Sequence, residues 1–293
     1  MKSAFVAIIG RPSTGKSTLI NQFCGGKVSI ISRTPQTTRN KIRGIYTSQD
    51  LSTQLIFIDT PGFHNSDKKL NNYLKDLVHT SIEEAEILLY VLDTARPPGQ
   101  EEHTIINMLK KSDKPVLIAL NKIDLPAKLR KLTKEEISQL YPEVPVFEIS
   151  ALEDKGITEL LEALIKTSPE GDQYYPDDYY TDQTPEFRIA EIIREKAINL
   201  TSQELPHSIY VELADMEMRE EENLLWVRGF IYVERESQKG ILVGKAGAKI
   251  KNIIHQSTEE CKDIFPYDVQ LDIRVKVKPK WRKNDSLLSR LLK

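Results

Sequence analysis

An apolar run, AFVAII from Ala4 to Ile9, leads without a break into GRPSTGKS at residues 10–17. This junction limits the possible folds more than any other stretch. The spacing Gly10-x-x-x-x-Gly15-Lys16-Ser17 is that of a P-loop, a glycine-rich turn between a strand and a helix. Backbone amides and the positive end of a helix running on from Thr18 then surround a phosphate. Lys16 neutralises terminal phosphate oxygens and the Ser17 hydroxyl ligates Mg²⁺. Gly10, Arg11, Pro12, Ser13, Thr14, Gly15, Lys16, Ser17 and Thr18 are therefore read as one phosphate cradle.

A strand feeding such a loop belongs in an α/β sheet, and the next hundred residues continue the pattern. QLIFID (54–59), ILLYVLD (87–93), PVLIALN (115–121) and PVFEIS (145–150) are short apolar runs that end in polar residues. Helical stretches such as EEHTIINMLKK (101–111), TKEEISQLY (133–141) and GITELLEALIKT (156–167) lie between or after them. Such alternation predicts a mostly parallel sheet with helices on both faces, its ligands gathered at the carboxyl ends of the strands.

The strand ends carry the remaining chemistry. Asn121, Lys122 and Asp124 form NKID; Asp124 accepts hydrogen bonds from N1–H and N2–H₂ of guanine, and Asn121 and Lys122 tie the base to the P-loop. Adenine has no matching donors, so a buried carboxylate would go unpaired. Charged hydrogen bonds of about 1.5–3 kcal/mol each support discrimination on the order of 10³. Ser150, Ala151 and Leu152 follow the last strand and offer a backbone N–H to guanine O6. Asp59, Thr60, Pro61 and Gly62 form DTPG and are read, with Phe63, as nucleotide-binding, where Asp59 holds Mg²⁺ through water and the Gly62 amide senses a γ-phosphate. Thr38, in TPQTTR (34–39), completes the Mg²⁺ shell. Losing the γ-phosphate releases both segments, an order–disorder switch. The expected metal set is Ser17, Thr38 and Asp59; the groups expected to act on the reacting phosphate are Lys16, Thr38 and Gly62.

Beyond Thr167 the alternation stops. The Pro-, Asp- and Tyr-rich stretch at 169–184 reads as a linker, with Tyr174, Tyr175, Tyr179 and Tyr180 expected to pack it between two domains. A chain of 293 residues suggests about two. After the linker come helical PEFRIAEIIREKAINLT (185–201), strands SIYVELADM (208–216) and NLLWVRGFIYVE (223–234), SQKGILV (237–243), helical 248–265, and strand VQLDIRVKV (269–277). The order is α-β-β-α-α-β. Between its second and third helices stand Gly244, Lys245, Ala246 and Gly247, a GxxG turn that lets nucleic-acid phosphates approach, as in KH domains. Lys249 and Lys251 add charge, with Ile241 and Ile250 as a floor for unstacked bases.

Charge follows the same division. From Lys239 onward thirteen Lys or Arg face six acids, a net +7, which against the overall −2 leaves −9 on the rest. A basic end on an acidic body suits a polyanion. Two distant cysteines, Cys24 and Cys261, match no metal or disulfide spacing and fit a reducing compartment. The N-terminal apolar run, six residues long, is read as a strand and not as a leader.

With GRPSTGKST, PQTTR, DTPGF, NKID, SAL and ERESQKGILVGKAGAKIK, the chain resembles the Era family of bacterial GTPases over its whole length. The resemblance implies a P-loop GTPase domain (1–168), the linker (169–184) and a type II KH domain (185–293). It implies Mg²⁺-dependent hydrolysis of GTP to GDP, and rRNA binding at the 3′ end of the small-subunit RNA during assembly of the 30S subunit. The Mg²⁺ role of Thr38 is carried over on QTTR. The RNA set is Gly244, Lys245, Ala246, Gly247, Lys249 and Lys251. A cytoplasmic monomer is implied, with peripheral contact on the inner face of the membrane compatible with the basic end. Phe63 stands where many GTPases carry a water-orienting glutamine, which implies slow hydrolysis; His64 is read as a solvated loop residue rather than a substitute base. Ser13 replaces the family asparagine that helps hold K⁺, so little preference for K⁺ over Na⁺ is expected. The competing reading is a constitutive RNA-binding module with a structural nucleotide site.

Overall fold

The computed structural model describes residues 1–32, 34–35, 37–63, 69–126, 130–201 and 205–291. They form two compact units, the bulk of the first being Met1–Ser29 and Pro35–Asp182 and that of the second Gln183–Arg290.

The first unit is a six-stranded sheet: β1 (Lys2–Ile9), β2 (Ile42–Ser48), β3 (Thr53–Asp59), β4 (Ile87–Asp93), β5 (Val116–Asn121) and β6 (Val146–Glu148). The spatial order is β2-β3-β1-β4-β5-β6, and only β2 runs antiparallel. Helices α1 (Lys16–Phe23), α2 (Lys69–Glu84), α3 (Gln100–Leu109), α4 (Arg130–Leu140) and α5 (Ile157–Thr167) connect or follow the strands. Every residue of β3 and β4 is buried, which is why their centres, LIFI (55–58) and ILLYVL (87–92), run apolar without alternation. The parallel register brings the P-loop, Asp59, Asn121 and Ser150 to one edge of the sheet.

The stretch 169–184 has no regular structure, but it is not free of the first unit. Gln54, fully buried, accepts the amides of Tyr174 and Tyr175 on Oε1 (2.8 and 2.9 Å) and donates through Nε2 to the Tyr175 carbonyl (2.8 Å). Ile45 N–H donates to the Tyr180 carbonyl at 2.9 Å, and Gly44 bridges to Thr181. The segment thereby covers the edge of β2, whose open N–H and C=O groups would otherwise invite foreign strands. Tyr174 meets Phe5 edge-on at 4.9 Å, and Tyr175 stacks on Tyr179 at 6.5 Å. The packing found for these rings is on the first unit, where the sequence suggested a place between domains.

In the second unit, α6 (Pro185–Asn199) starts with Thr184 as N-cap, its hydroxyl accepting from Phe187 N–H, and with Pro at the first turn. Then follow β7 (Tyr210–Arg219), β8 (Leu224–Val233), α7 (Glu236–Val243), α8 (Ala248–Ile264), β9 (Asp268–Val277) and α9 (Asp285–Leu291). The sheet order is β7-β8-β9, with β8 antiparallel to β7 and parallel to β9. Along β8 buried and half-buried residues alternate without a break. Leu225, Val227, Ile231 and Val233 join Ile189, Ile193 and Ile253 in the core; Trp226, Arg228, Phe230 and Tyr232 face the other side. Trp281 is 2% exposed, donates through Nε1 to the Ser208 carbonyl (2.8 Å) and packs on Tyr210. It closes the core rather than offering a ring to RNA. Among the described residues, no helix is long and apolar enough to cross a membrane.

Candidate nucleotide site and RNA interface

β1 ends in a loop that cannot be built with larger residues. A Cβ on Gly10 would lie 2.4 Å from the Val91 carbonyl oxygen. Gly15 has φ +98°, and a Cβ there would meet Asn121 Nδ2 at 2.2 Å. Lys16 is 5% exposed and donates to the carbonyls of Gly10 (3.0 Å) and Arg11 (2.9 Å). Burial lowers its pKa to about 8, with Asp59 pulling the other way. An ammonium held on neutral carbonyls in a dry site is poised to gain from an anion. The Arg11 side chain points away, to Glu102 (2.7 Å) and Glu101 (3.4 Å) of α3. Thr14 donates back to the Arg11 carbonyl (3.2 Å), and Thr60 donates to that of Ile8 (2.7 Å).

The three expected metal residues are brought together. Asp59 is fully buried, and its Oδ2 accepts from Ser17 Oγ (2.8 Å) and Thr38 Oγ1 (3.2 Å), which lie 3.0 Å from each other. A third hydroxyl, Ser29 Oγ, also donates to Oδ2 at 2.8 Å. Sequence reasoning missed Ser29, because no motif marks a lone serine in the loop after α1. Burial raises the Asp59 pKa, opposed by Lys16 and the three hydroxyls. The other carboxylate oxygen, Oδ1, is buried with no hydrogen-bond partner among the described residues. An orphaned carboxylate oxygen beside two hydroxyls fits Mg²⁺, which takes one or two carboxylates and completes its shell with waters and phosphates.

DTPG passes close over the P-loop. A Cβ on Gly62 would fall 2.5 Å from Pro12 Cα, so only glycine allows this approach. Phe63 N–H donates to the Gly10 carbonyl at 3.1 Å. The Phe63 side chain is 6% exposed and packs in the core beside Val78 and Ile82; it neither points at a phosphate nor can polarise water. His64 lies outside the described residues.

The base side is also preassembled. Asn121, 2% exposed, donates through Nδ2 to the Thr14 carbonyl (2.8 Å) and accepts the Lys122 and Ala151 amides on Oδ1 (2.8 and 2.9 Å). Lys122, at φ +71°, spans from the Ser13 carbonyl to Asp93, both 2.7 Å away. Ser150 Oγ donates to Asp124 Oδ1 at 2.5 Å, which aims the carboxylate. Since the Ala151 amide serves Asn121, a base carbonyl must compete with that bond or take the next amide, that of Leu152, whose side chain is 76% exposed.

In the second unit, Gly244 (φ +73°), Ala246 (φ +50°) and Gly247 (φ +77°) turn the chain between α7 and α8; the Gly244 amide donates to the Gly240 carbonyl (2.9 Å) and the Gly247 amide to that of Gly244 (3.2 Å). A Cβ on Gly244 would meet Lys249 Cβ at 2.8 Å, while one on Gly247 would meet only Ile250 Cγ2, at 4.0 Å. Lys245 and Lys251 are exposed and Lys249 is half-buried, at the positive end of the 17-residue α8. A helix N-terminus with cations beside it favours an anion. Ile241 is 50% exposed next to it.

A P-loop sheet with the residues expected to recognise guanine and hold Mg²⁺ at its strand ends, followed by an α-β-β-α-α-β unit with a GxxG turn, defines a P-loop GTPase joined to a KH domain. Proteins called GTPase Era from Treponema denticola and Borreliella afzelii are 49% and 46% identical to this chain over 294 and 293 residues. The comparison covers 99% of both chains in the first case and 100% of both in the second. The chain belongs to the Era family of GTPases. The family model described as 50S ribosome-binding GTPase matches residues 5–122, and the KH-domain model matches 204–282. Two solved structures share the whole architecture at 36% identity. One is an Aquifex aeolicus Era variant bound to GDP and aluminium fluoride, with TM-score 0.95 and 99% of each chain covered. The other is Era in complex with MgGDPNP and nucleotides 1506–1542 of 16S ribosomal RNA, with TM-score 0.94 and 99% and 98% covered.

Proposed function

We propose that this chain is a GTP-hydrolysing switch that binds the 3′ end of small-subunit rRNA through its KH domain and acts in assembly of the 30S subunit. The observation that carries this reading is the convergence of Ser17, Thr38 and the half-unpartnered Asp59 beside the buried Lys16. That the Era structure at TM-score 0.94 holds both a GTP analogue and a 16S rRNA fragment supports it.

In the mechanism, Lys16 exchanges its two carbonyl partners for β- and γ-phosphate oxygens and neutralises the charge that builds there. Ser17, Thr38 and Asp59 would hold Mg²⁺, which supplies Lewis-acid charge between the β- and γ-phosphates. The Gly62 amide orders its segment on the γ-phosphate. Asp124, aimed by Ser150, selects guanine. With Phe63 in the core, no side chain of that position orients the attacking water, so turnover alone is slow and an outside activator, RNA itself, fits. Release of the γ-phosphate frees Thr38 and Gly62 together, and that change alters the affinity of the KH domain for RNA.

Ser13, at φ +65° with its hydroxyl buried and unpartnered among the described residues, replaces the family asparagine. It is too short to serve K⁺ at the phosphates, so turnover shows little preference for KCl over NaCl. The protein works as a cytoplasmic monomer, and its basic end also suits a peripheral contact with anionic lipid.

The test is RNA affinity with GDP and with a non-hydrolysable GTP analogue, measured on a labelled strand of the rRNA 3′ end. A difference of tenfold or more, a coupling of about 1.4 kcal/mol, supports the switch. Equal affinities favour the constitutive RNA-binding module.

A further inference from the structure

The excess positive charge of the C-terminal end does not sit mainly at the GxxG turn. Residues 268–291 hold seven Lys or Arg against three acids, on and after β9. Three of these cations, Arg274, Lys276 and Lys278, follow one another at alternate positions along β9 and just past it. They face the side of the sheet opposite α6 and α8, because the intervening Ile273 and Val275 are in the core.

That face carries a row of aromatic rings. The register places Phe230 beside Arg274 and Tyr232 beside Lys276. Lys276 Nζ lies 3.3 Å from the centroid of Phe230, and Lys278 Nζ lies 5.5 Å from that of Tyr232. Arg228 sits over Trp226 at 4.8 Å. Among the described residues neither Lys276 nor Lys278 meets a carboxylate within 4.0 Å. Their ammonium groups rest on ring faces, which hold them in place without neutralising them. Arg274 is 68% exposed and shares Asp272 with Arg228.

We propose that this outer face, along β9, is a second RNA contact. It takes the sugar–phosphate backbone of the single strand that continues past the GxxG turn. The proposal rests on the RNA-binding reading above. A GxxG clamp grips about four nucleotides, so a longer strand needs further surface. α7 packs against β9, an edge strand of its sheet, so the path from the turn to the outer face crosses only that edge. Phe230, Tyr232 and Trp226 supply half-exposed rings on which bases stack once the lysines move to phosphates. Charge favours a strand over an anionic lipid surface: Asp215 and Glu217 on β7, together with Glu212, which is paired with Arg290 of α9, share the face across β8. A flat bilayer would meet both columns, whereas one strand of RNA can follow β9 alone.

The experiment uses the full chain and fluorescence anisotropy with two RNAs from the rRNA 3′ end. One of about six nucleotides fills the roughly four-nucleotide clamp, and one of about twenty extends beyond it. The double variant Arg274→Glu/Lys276→Glu is expected to bind the long RNA about 10–100-fold more weakly, with a salt slope lower by about 1.4. Its affinity for the short RNA, its GTP turnover without RNA and its melting temperature are unchanged. Lys251→Glu weakens both RNAs. The milder Arg274→Gln/Lys276→Gln gives the same pattern to a smaller degree. Equal loss on both RNAs, or no loss on the long one, overturns the proposal. So does loss of sedimentation with phosphatidylglycerol vesicles while RNA affinity is kept, which would assign the face to a membrane. If the unmodified chain binds neither RNA, it is the RNA-binding reading itself that fails.

Discussion

Asn121 Nδ2 donates to the carbonyl of Thr14 at 2.8 Å, with both residues at most 2% exposed. This bond joins the end of β5 to the P-loop, so the base-recognition and phosphate-binding halves of the site move as one piece. Asn121→Ala would leave that carbonyl and the Lys122 and Ala151 amides without their partner. At about 1–3 kcal/mol for each buried group left unsatisfied, nucleotide affinity should fall on the order of 10²-fold or more. Titration with a fluorescent GDP analogue measures it, and a change under twofold would show that the two halves are held together by something else.

Lys16 makes nucleotide binding depend on pH. Burial holds its pKa near 8 in the free protein, and phosphate oxygens drive it back up, so binding takes up a proton. Calorimetry in buffers of different ionisation enthalpy should find about half a proton at pH 8 and close to none at pH 6.5. Without nucleotide the stability effect has the opposite sense. The folded pKa is below the unfolded value of 10.5, so burying the charged lysine costs stability below pH 8, and that cost is relieved as pH rises from 8 to 10.5. Rising pH therefore weakens nucleotide binding while easing this group's load on the free fold.

Ser29 should tune the metal site. Ser29→Ala removes one of three hydroxyls on Asp59 Oδ2, a bond worth about 1.5–3 kcal/mol to a charged acceptor. The Mg²⁺ concentration for half-maximal GTP turnover should shift several-fold, with GDP affinity in excess Mg²⁺ little changed. An unshifted Mg²⁺ curve would mean that Ser17 and Thr38 alone orient the carboxylate.

Trp281 should prove a core residue. Trp281→Phe loses the Nε1 bond to Ser208 and some volume, costing the KH unit about 1–3 kcal/mol. RNA affinity of the folded protein should be unaltered. Weaker RNA binding at unchanged melting temperature would instead put the indole on the RNA.

Much of the nucleotide site was legible because its residues are contiguous and each motif ends a strand. Gly10 to Thr18, Asp59 to Phe63 and Asn121 to Asp124 announce their chemistry by spacing, and a parallel sheet can only bring them to one edge. Ser29 was not legible, because its bond to Asp59 depends on how the loop after α1 returns to β3. β2 escaped notice for a related reason. IRGIYTS contains a glycine, and that glycine is needed because a Cβ on Gly44 would lie 2.7 Å from Cys24 Sγ, a contact with a distant segment. The sequence reads 169–184 as a linker. Its attachment was hidden, since one buried side chain, Gln54, holds it and nothing local in 169–184 reveals that. In the second unit the GxxG turn was visible, but the rings of β8 under the cations of β9 emerge only from the strand register.

The most direct test of the account is GTP turnover with and without a single-stranded RNA matching the 3′ end of small-subunit rRNA, repeated with Gly247→Asp. That position has φ +77° and a new Cβ there would meet only Ile250 Cγ2, at 4.0 Å, so the change disturbs the turn without crowding it and adds a negative charge where phosphate must lie. The account predicts a clear, salt-sensitive rise in turnover with RNA that is lost in the variant, while turnover without RNA stays the same. RNA that binds yet leaves turnover unchanged would contradict the coupling of the two domains.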